Sequence, residues 1–321
     1  MDLSILFDKE GLKNYESHVP LGMTPLWNYW NEFVLHYLRE GKSEVTIKSV
    51  RDVLRFFVRQ LKILTIEDCN NPDILREALF KAKEERNWSN NTLNTYRKNV
   101  NTYFLWLLDM EYIEENKIKK VRKCKEVQNE QLTLTEEQVS TVRKRIADRR
   151  QTRLERWRNI LFFDILILTG ARPCELEAMQ IRDIQDEGNG YKIVIQGRKQ
   201  KGRKRFYTLP SSIRDTYEMY ISVRQDLGRE ESCLFSSQSK RTGFGYKGIS
   251  KLLQKLSEEV GFRITAYSIR RFVATRLYLN NVSLKDTQQH LGHTRPSTTM
   301  RYIEHTCALT DRGVEVMGEM F

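Results

Sequence analysis

The sequence predicts a mainly α-helical protein in two domains, the second carrying a small antiparallel sheet. Its 321 residues exceed one typical domain and suit two, each able to bury a core. Apolar residues recur at spacings of three and four through most of the chain, the period of one helix face. Two short β-branched and aromatic runs, "YKIVIQ" and "RFYTLP", break that period on either side of a basic loop, the pattern of a hairpin.

Residues 1–24 show no clean period and read as an N-terminal arm. From Pro25 the pattern turns helical. "LWNYWNEFVLHYLREGKS" ends in a glycine suited to a helix C-cap, and "VTIKSVRDVLRFFVRQL" places Val50, Val53, Leu54, Phe57, Val58 and Leu61 on one face. "NPDILREALFKAKEE" supplies a third helix. In the fourth, Leu93, Tyr96, Val100, Tyr103, Phe104 and Leu107 follow a Ser-Asn-Asn start able to cap it. Residues 25–121 are thus predicted to form a small helical domain, and the basic run 122–131, which loses the apolar period, a linker.

A second domain is expected over 132–321. Thr135 can cap a helix with Gln138 reaching back, and Leu134 can pack on Val139 as a hydrophobic staple. "NILFFDILILTG" is apolar enough for a buried helix stopped at Gly170. Pro173 in "ARPCELEAM" suits a first helical position, where its missing N–H costs nothing. The hairpin follows, and from Gly248 the chain is helical again.

Lys and Arg number 54 against 42 Asp and Glu, a formal charge of +12 that a polyanion would relieve. The charge is clustered in "NKIKKVRKCKE", "VRKRIADRRQTRLERWRN" and "QGRKQKGRKRF", the last with six basic residues and no acid. Such clusters neutralise phosphates by releasing counterions, so nucleic acid is the expected partner. No apolar run approaches a membrane span, and the N-terminus lacks the basic flank of a signal peptide; a cytoplasmic location is expected, nucleoid-associated in a prokaryote. Five scattered cysteines without a CxxC pair read as reduced thiols, and no cofactor or metal is expected.

"LTGARPCELEAMQIRDI", the basic hairpin, "YSIRRFVATRL", "LGH" and then Tyr302 resemble, in order and nearly in spacing, the tyrosine recombinase or phage integrase family. The likeness extends over both domains. Residues 25–121 are similar to the family's helical core-binding (SAM-like) domain, and 132–321 to its catalytic domain with a C-terminal tail helix. The resemblance implies a site-specific recombinase that cleaves and rejoins DNA through a 3′-phosphotyrosyl intermediate, with Tyr302 as nucleophile. It also implies work on double-stranded DNA carrying paired recombinase sites, as a homo-oligomer, a tetramer on DNA whose C-terminal helices are exchanged between protomers. A non-catalytic DNA-binding protein of the same fold, or a type IB topoisomerase-like enzyme, is the alternative.

By the same resemblance Arg172 and Arg270 bind the scissile phosphate, Glu175 supports them, and His293 hydrogen-bonds that phosphate. The chemistry suits these residues: charge develops on the equatorial oxygens during attack, and planar guanidiniums offer paired donors that stay charged. The family uses a hairpin lysine as general acid for the leaving 5′-oxygen. Lys199, Lys201 and Lys204 are available, and counting back from "TLP" with a one-residue insertion favours Lys201. Lys199, Arg203, Lys204, Arg205 and Arg271 are expected to contact the DNA backbone. Tyr267 stands where the family usually has histidine. A phenol can donate to phosphate but accepts a proton poorly near neutrality.

Overall fold

The structure, a computed structural model, describes residues 15–125, 133–188, 190–197, 203–237 and 244–303. Its contacts divide the chain into two compact units, Met1–Asn129 and Glu130–Phe321.

The first unit is helical: α1 (Trp30–Arg39), α2 (Glu44–Phe56), α3 (Pro72–Glu85) and α4 (Asn90–Asp109). Local chemistry sets their starts. Ser43, Asn71 and Ser89 each accept a backbone N–H of the first turn, satisfying donors that no preceding carbonyl can reach. The predicted faces are buried: Val50, Val53, Leu54, Phe57 and Val58 from α2 and its π-helical extension meet Leu93, Val100, Tyr103, Phe104 and Leu107 of α4 in one core. Helix α1 starts later than its apolar pattern. Leu26 instead donates its N–H to the Leu64 carbonyl, and Pro25 bridges Thr65. Residues 122–125, expected in the linker, are tied to α4: Asn94 bonds both the N–H and the carbonyl of Cys124, and Asn90 bonds the Lys125 carbonyl.

The second unit begins with α5 (Glu136–Asp148), whose capping box is the predicted Thr135–Gln138 pair, with Leu134 buried. Next comes α6 (Arg153–Thr169), buried over most of its surface; Gly170 ends it in the left-handed region. Helix α7 (Pro173–Glu177) is short. The sheet has order β1–β2–β3, all antiparallel, with β1 Ile184–Asp186, β2 Tyr191–Gln196 and β3 Lys204–Thr208. Strands β2 and β3 are the expected hairpin, paired Val194 to Phe206; β1 was not expected. Helices α8 (Ser211–Asp226), α9 (Tyr246–Val260), α10 (Ala266–Leu279), α11 (Leu284–Leu291) and α12 (Pro296–Ile303) complete it.

The basic run from Val142 is largely used inside this unit. Arg143 pairs with Asp164, Arg145 and Arg149 with Glu259, and buried Arg158 lies over the Phe244 ring. Among the described residues no helix is long and apolar enough to cross a membrane.

Candidate active site

The turn after α6 builds the first wall. Gly170 has φ 56°, and a Cβ there would fall 2.6 Å from Leu291 Cδ2, so both the backbone and the space favour glycine. Two residues on, Arg172 caps α7, and Glu175 reaches back to it. Glu175 Oε2 accepts the Arg172 N–H at 2.9 Å, and Oε1 pairs with Arg172 Nη1 at 3.0 Å. This carboxylate is buried and also takes Arg205 Nη2 of β3 on Oε2 at 2.5 Å.

Helices α10 and α11 build the second wall. Arg270 is buried in α10 and donates Nη1 to the Gly170 carbonyl and Nη2 to the Leu291 carbonyl, joining the two walls. Burial, with the charge of Arg172, pushes its guanidinium down to about 10, which leaves it cationic at neutral pH. Helix α11 ends on Gly292 at φ 62°, and the turn delivers His293, held by bonds of its N–H and its carbonyl to Gln288.

His293 Nε2 lies 3.3 Å from Arg270 Nε, which has only a proton to give. Nε2 therefore accepts, and the ring proton sits on Nδ1, 2.7 Å from Thr299 Oγ1. Burial, then Arg270, Arg172 and Arg205, push this imidazole down to about 3. In this arrangement His293 orients Arg270 and is neutral at working pH.

Tyr302, on α12, is buried beside both. Its ring centre is 5.2 Å from His293 and 5.2 Å from Tyr267, edge-on to the latter at 80°. Burial raises its phenol above the ordinary value; Arg270 opposes that shift, and Tyr267 adds to it. Tyr267, in the first turn of α10, is 43% exposed. It borders a cavity of about 610 Å³ that also touches Arg172, Arg270, Tyr302, Tyr246 and Leu253. An anion entering there meets the guanidiniums of Arg172 and Arg270 and the phenols of Tyr267 and Tyr302.

Arg172, Glu175, Tyr267, Arg270, His293 and Tyr302 are thus brought together. Lys199 and Lys201 lie outside the described residues. Arg203 and Lys204 are exposed beside the hairpin loop. Arg205 and Arg271 differ from expectation, because both are buried. Arg205 alternates inward on β3 and spends its Nη atoms on Glu175 and the His290 carbonyl. Arg271 is covered, with Nε and Nη2 unpartnered, so neither presents a free guanidinium to a duplex. Thr299, Gln288 and Gly292 were not singled out from sequence. Their roles arise from where α11 and α12 meet; only the strand alternation of Arg205 was a legible signal.

A sequence model of the phage integrase family matches residues 132–308. The tyrosine recombinase XerA of Thermococcus onnurineus (strain NA1) is 27% identical over 272 residues, spanning 83% of this chain and 87% of that protein. XerA of Pyrococcus furiosus is 25% identical, spanning 88% and 92%. Among solved structures, the XerH site-specific recombinase in a post-cleavage complex with palindromic difH substrate superposes with TM-score 0.70 at 19% identity, covering 96% of this chain and 94% of that one. A lambda integrase tetramer bound to a Holliday junction superposes with TM-score 0.67 at 17% identity, covering 91% and 83%.

Proposed function

Because this chain belongs to the phage integrase family, we propose that the cavity beside Tyr302 receives the scissile phosphate of a DNA strand. The protein is a tyrosine recombinase, an enzyme of site-specific DNA strand exchange. One observation carries the site assignment: Arg172, Arg270 and Tyr302 line one cavity, with His293 fixing Arg270 from behind.

In this reading Arg172 and Arg270 hold the non-bridging oxygens and stabilise the charge that builds on them. Tyr302 loses its phenolic proton to solvent and attacks phosphorus as the phenolate; the bond to the 5′-oxygen breaks, and that oxygen leaves as a hydroxyl with a proton from a hairpin lysine, for which Lys201 is our choice. The phosphoester energy is kept in the 3′-phosphotyrosyl bond, so attack by a 5′-hydroxyl rejoins a strand without ATP. Exposed Arg203 and Lys204, with Lys199, contact the backbone and set the duplex against the site. Strand exchange needs two duplexes and hence several protomers; we assign four, with the tail after Tyr302 docking on a neighbour.

The test incubates wild type and Tyr302→Phe with a nicked suicide substrate of a bound site. A covalent adduct in denaturing gels from wild type alone is expected. DNA binding without any adduct would overturn the assignment in favour of a non-catalytic DNA-binding protein.

A further inference from the structure

We propose that Arg205 is a positioning residue for strand cleavage, tying the β2–β3 hairpin to Glu175 and to the end of α11 so that hairpin and phosphate pocket are set together. The inference rests on the functional reading above.

Strand alternation brings Arg205 inward, with Lys204 and Phe206 exposed on either side. Its side chain is 7% exposed and meets a carboxylate 1% exposed. Glu175 then holds Arg205 and Arg172 together. Oε2 accepts Arg205 Nη2 and the Arg172 N–H, while Oε1 accepts Arg172 Nη1. The position of Arg172 therefore depends on the strand that leads from the hairpin loop.

The second tie runs to α11. Arg205 Nη1 donates at 3.0 Å to the His290 carbonyl, which also accepts the Tyr207 hydroxyl from the same strand face. The next carbonyl, that of Leu291, accepts Arg270. Consecutive carbonyls at a helix C-terminus, where the dipole favours cations, thus hold Arg205 and Arg270 side by side.

Gly292 makes room for this. A Cβ there would fall 3.0 Å from Arg205 Cδ and Nε and 3.1 Å from Cζ. Arg205 Nε has no partner. A buried ion pair with one donor unmet is a weak source of stability, so what this arrangement supplies is geometry. Lysine has one nitrogen and no fork, and cannot span Glu175 and the His290 carbonyl as a guanidinium does.

The test compares Arg205→Met and Arg205→Lys with wild type in single-turnover cleavage at saturating protein, and measures affinity for intact DNA on a Tyr302→Phe background. A shift of about 1 Å in a reacting group can cost 10²-fold, so Arg205→Met is expected to cut cleavage about 10²-fold, with Arg205→Lys recovering part. Affinity should change less than about twofold, without change in its salt dependence. The His293 imidazole, followed by NMR, should titrate higher in Arg205→Met and stay near wild type in Arg205→Lys, which keeps the charge. Wild-type cleavage in Arg205→Met, or a loss of affinity with a salt slope smaller by about one, overturns the proposal. Should Arg205→Met not fold, Gly292→Ala, which crowds the same stem, must slow cleavage with DNA binding retained; unchanged cleavage overturns it equally. Were wild type itself to form no adduct, the functional reading would have failed; a crystal structure of Arg205→Met in which the Arg172 guanidinium and the end of α11 keep their wild-type places would then overturn the brace on its own.

Discussion

Cleavage by this enzyme should accelerate steadily with pH through neutrality, because among the described residues no group facing Tyr302 titrates there as a base. Among the described residues the groups around Tyr302 are Arg270, Arg172, Tyr267 and His293. Arg270 stays cationic, and His293, at about 3 with Nε2 taken by Arg270, remains neutral and occupied across the working range. Burial raises Tyr302, so its phenolate is a minor species whose fraction grows tenfold for each pH unit below its pKa. Single-turnover adduct formation should therefore rise about 10²-fold from pH 6 to pH 8, without an inflection. Tyr267→His places an imidazole, ordinarily titrating near about 6.5, beside Tyr302. General-base assistance is worth about 10² at its lower end, so this variant should gain most at pH 7 and flatten above it. Quench-flow or manual time courses on the suicide substrate from pH 5.5 to 9 would measure both profiles. A wild-type plateau between pH 6 and 8 would refute the reasoning, since it requires a proton acceptor that titrates near neutrality.

Three further outcomes follow from the same geometry. Gly170→Ala should destabilise the second unit by the left-handed backbone cost of about 1–2 kcal/mol plus about 1–3 kcal/mol for overpacking on Leu291; Gly188→Ala, at φ 79° with nothing within 4 Å, should show the backbone cost alone. Hydrogen exchange of α6 and α10 amides measures the difference, and equal effects would remove the steric argument. Arg271→Met replaces a buried guanidinium with two unmet donors, so stability should hold or rise by about 1 kcal/mol and DNA affinity should be unchanged; a tenfold affinity loss would make Arg271 a phosphate contact after all. Deleting the residues after Thr310 should weaken synapsis or cleavage, and undiminished recombination by the truncated protein would refute the docking role of the tail.

Much of the scaffold was readable because its signals are local. The caps at Ser89 and Thr135, the stop at Gly170 and the strands β2 and β3 depend on residues three or four apart, or on simple alternation, and the structure forms them where the sequence places them. The order of Arg172, Arg270, His293 and Tyr302 was legible only through the resemblance to the family. Strand β1 escaped notice because three residues are too few to show a period. The docking of residues 122–125 was hidden because it runs through Asn94, 30 positions away.

By itself, then, the sequence determined two units, mostly helical, an acid-free basic hairpin, and a set of side chains suited to phosphoryl transfer. Only the tertiary structure decided what each of those side chains is free to do. Arg205 looks like one more cation of the loop until β3 turns it inward onto Glu175, 30 residues earlier in the chain. Arg271 follows Arg270 directly, yet one is buried without partners for two of its donors and the other joins both walls of the pocket. His293 loses its basicity to burial and to three neighbouring arginines. The physical reason is common to all three. Charge and hydrogen-bonding capacity belong to a residue, but solvation and available partners are set by the segments folded against it.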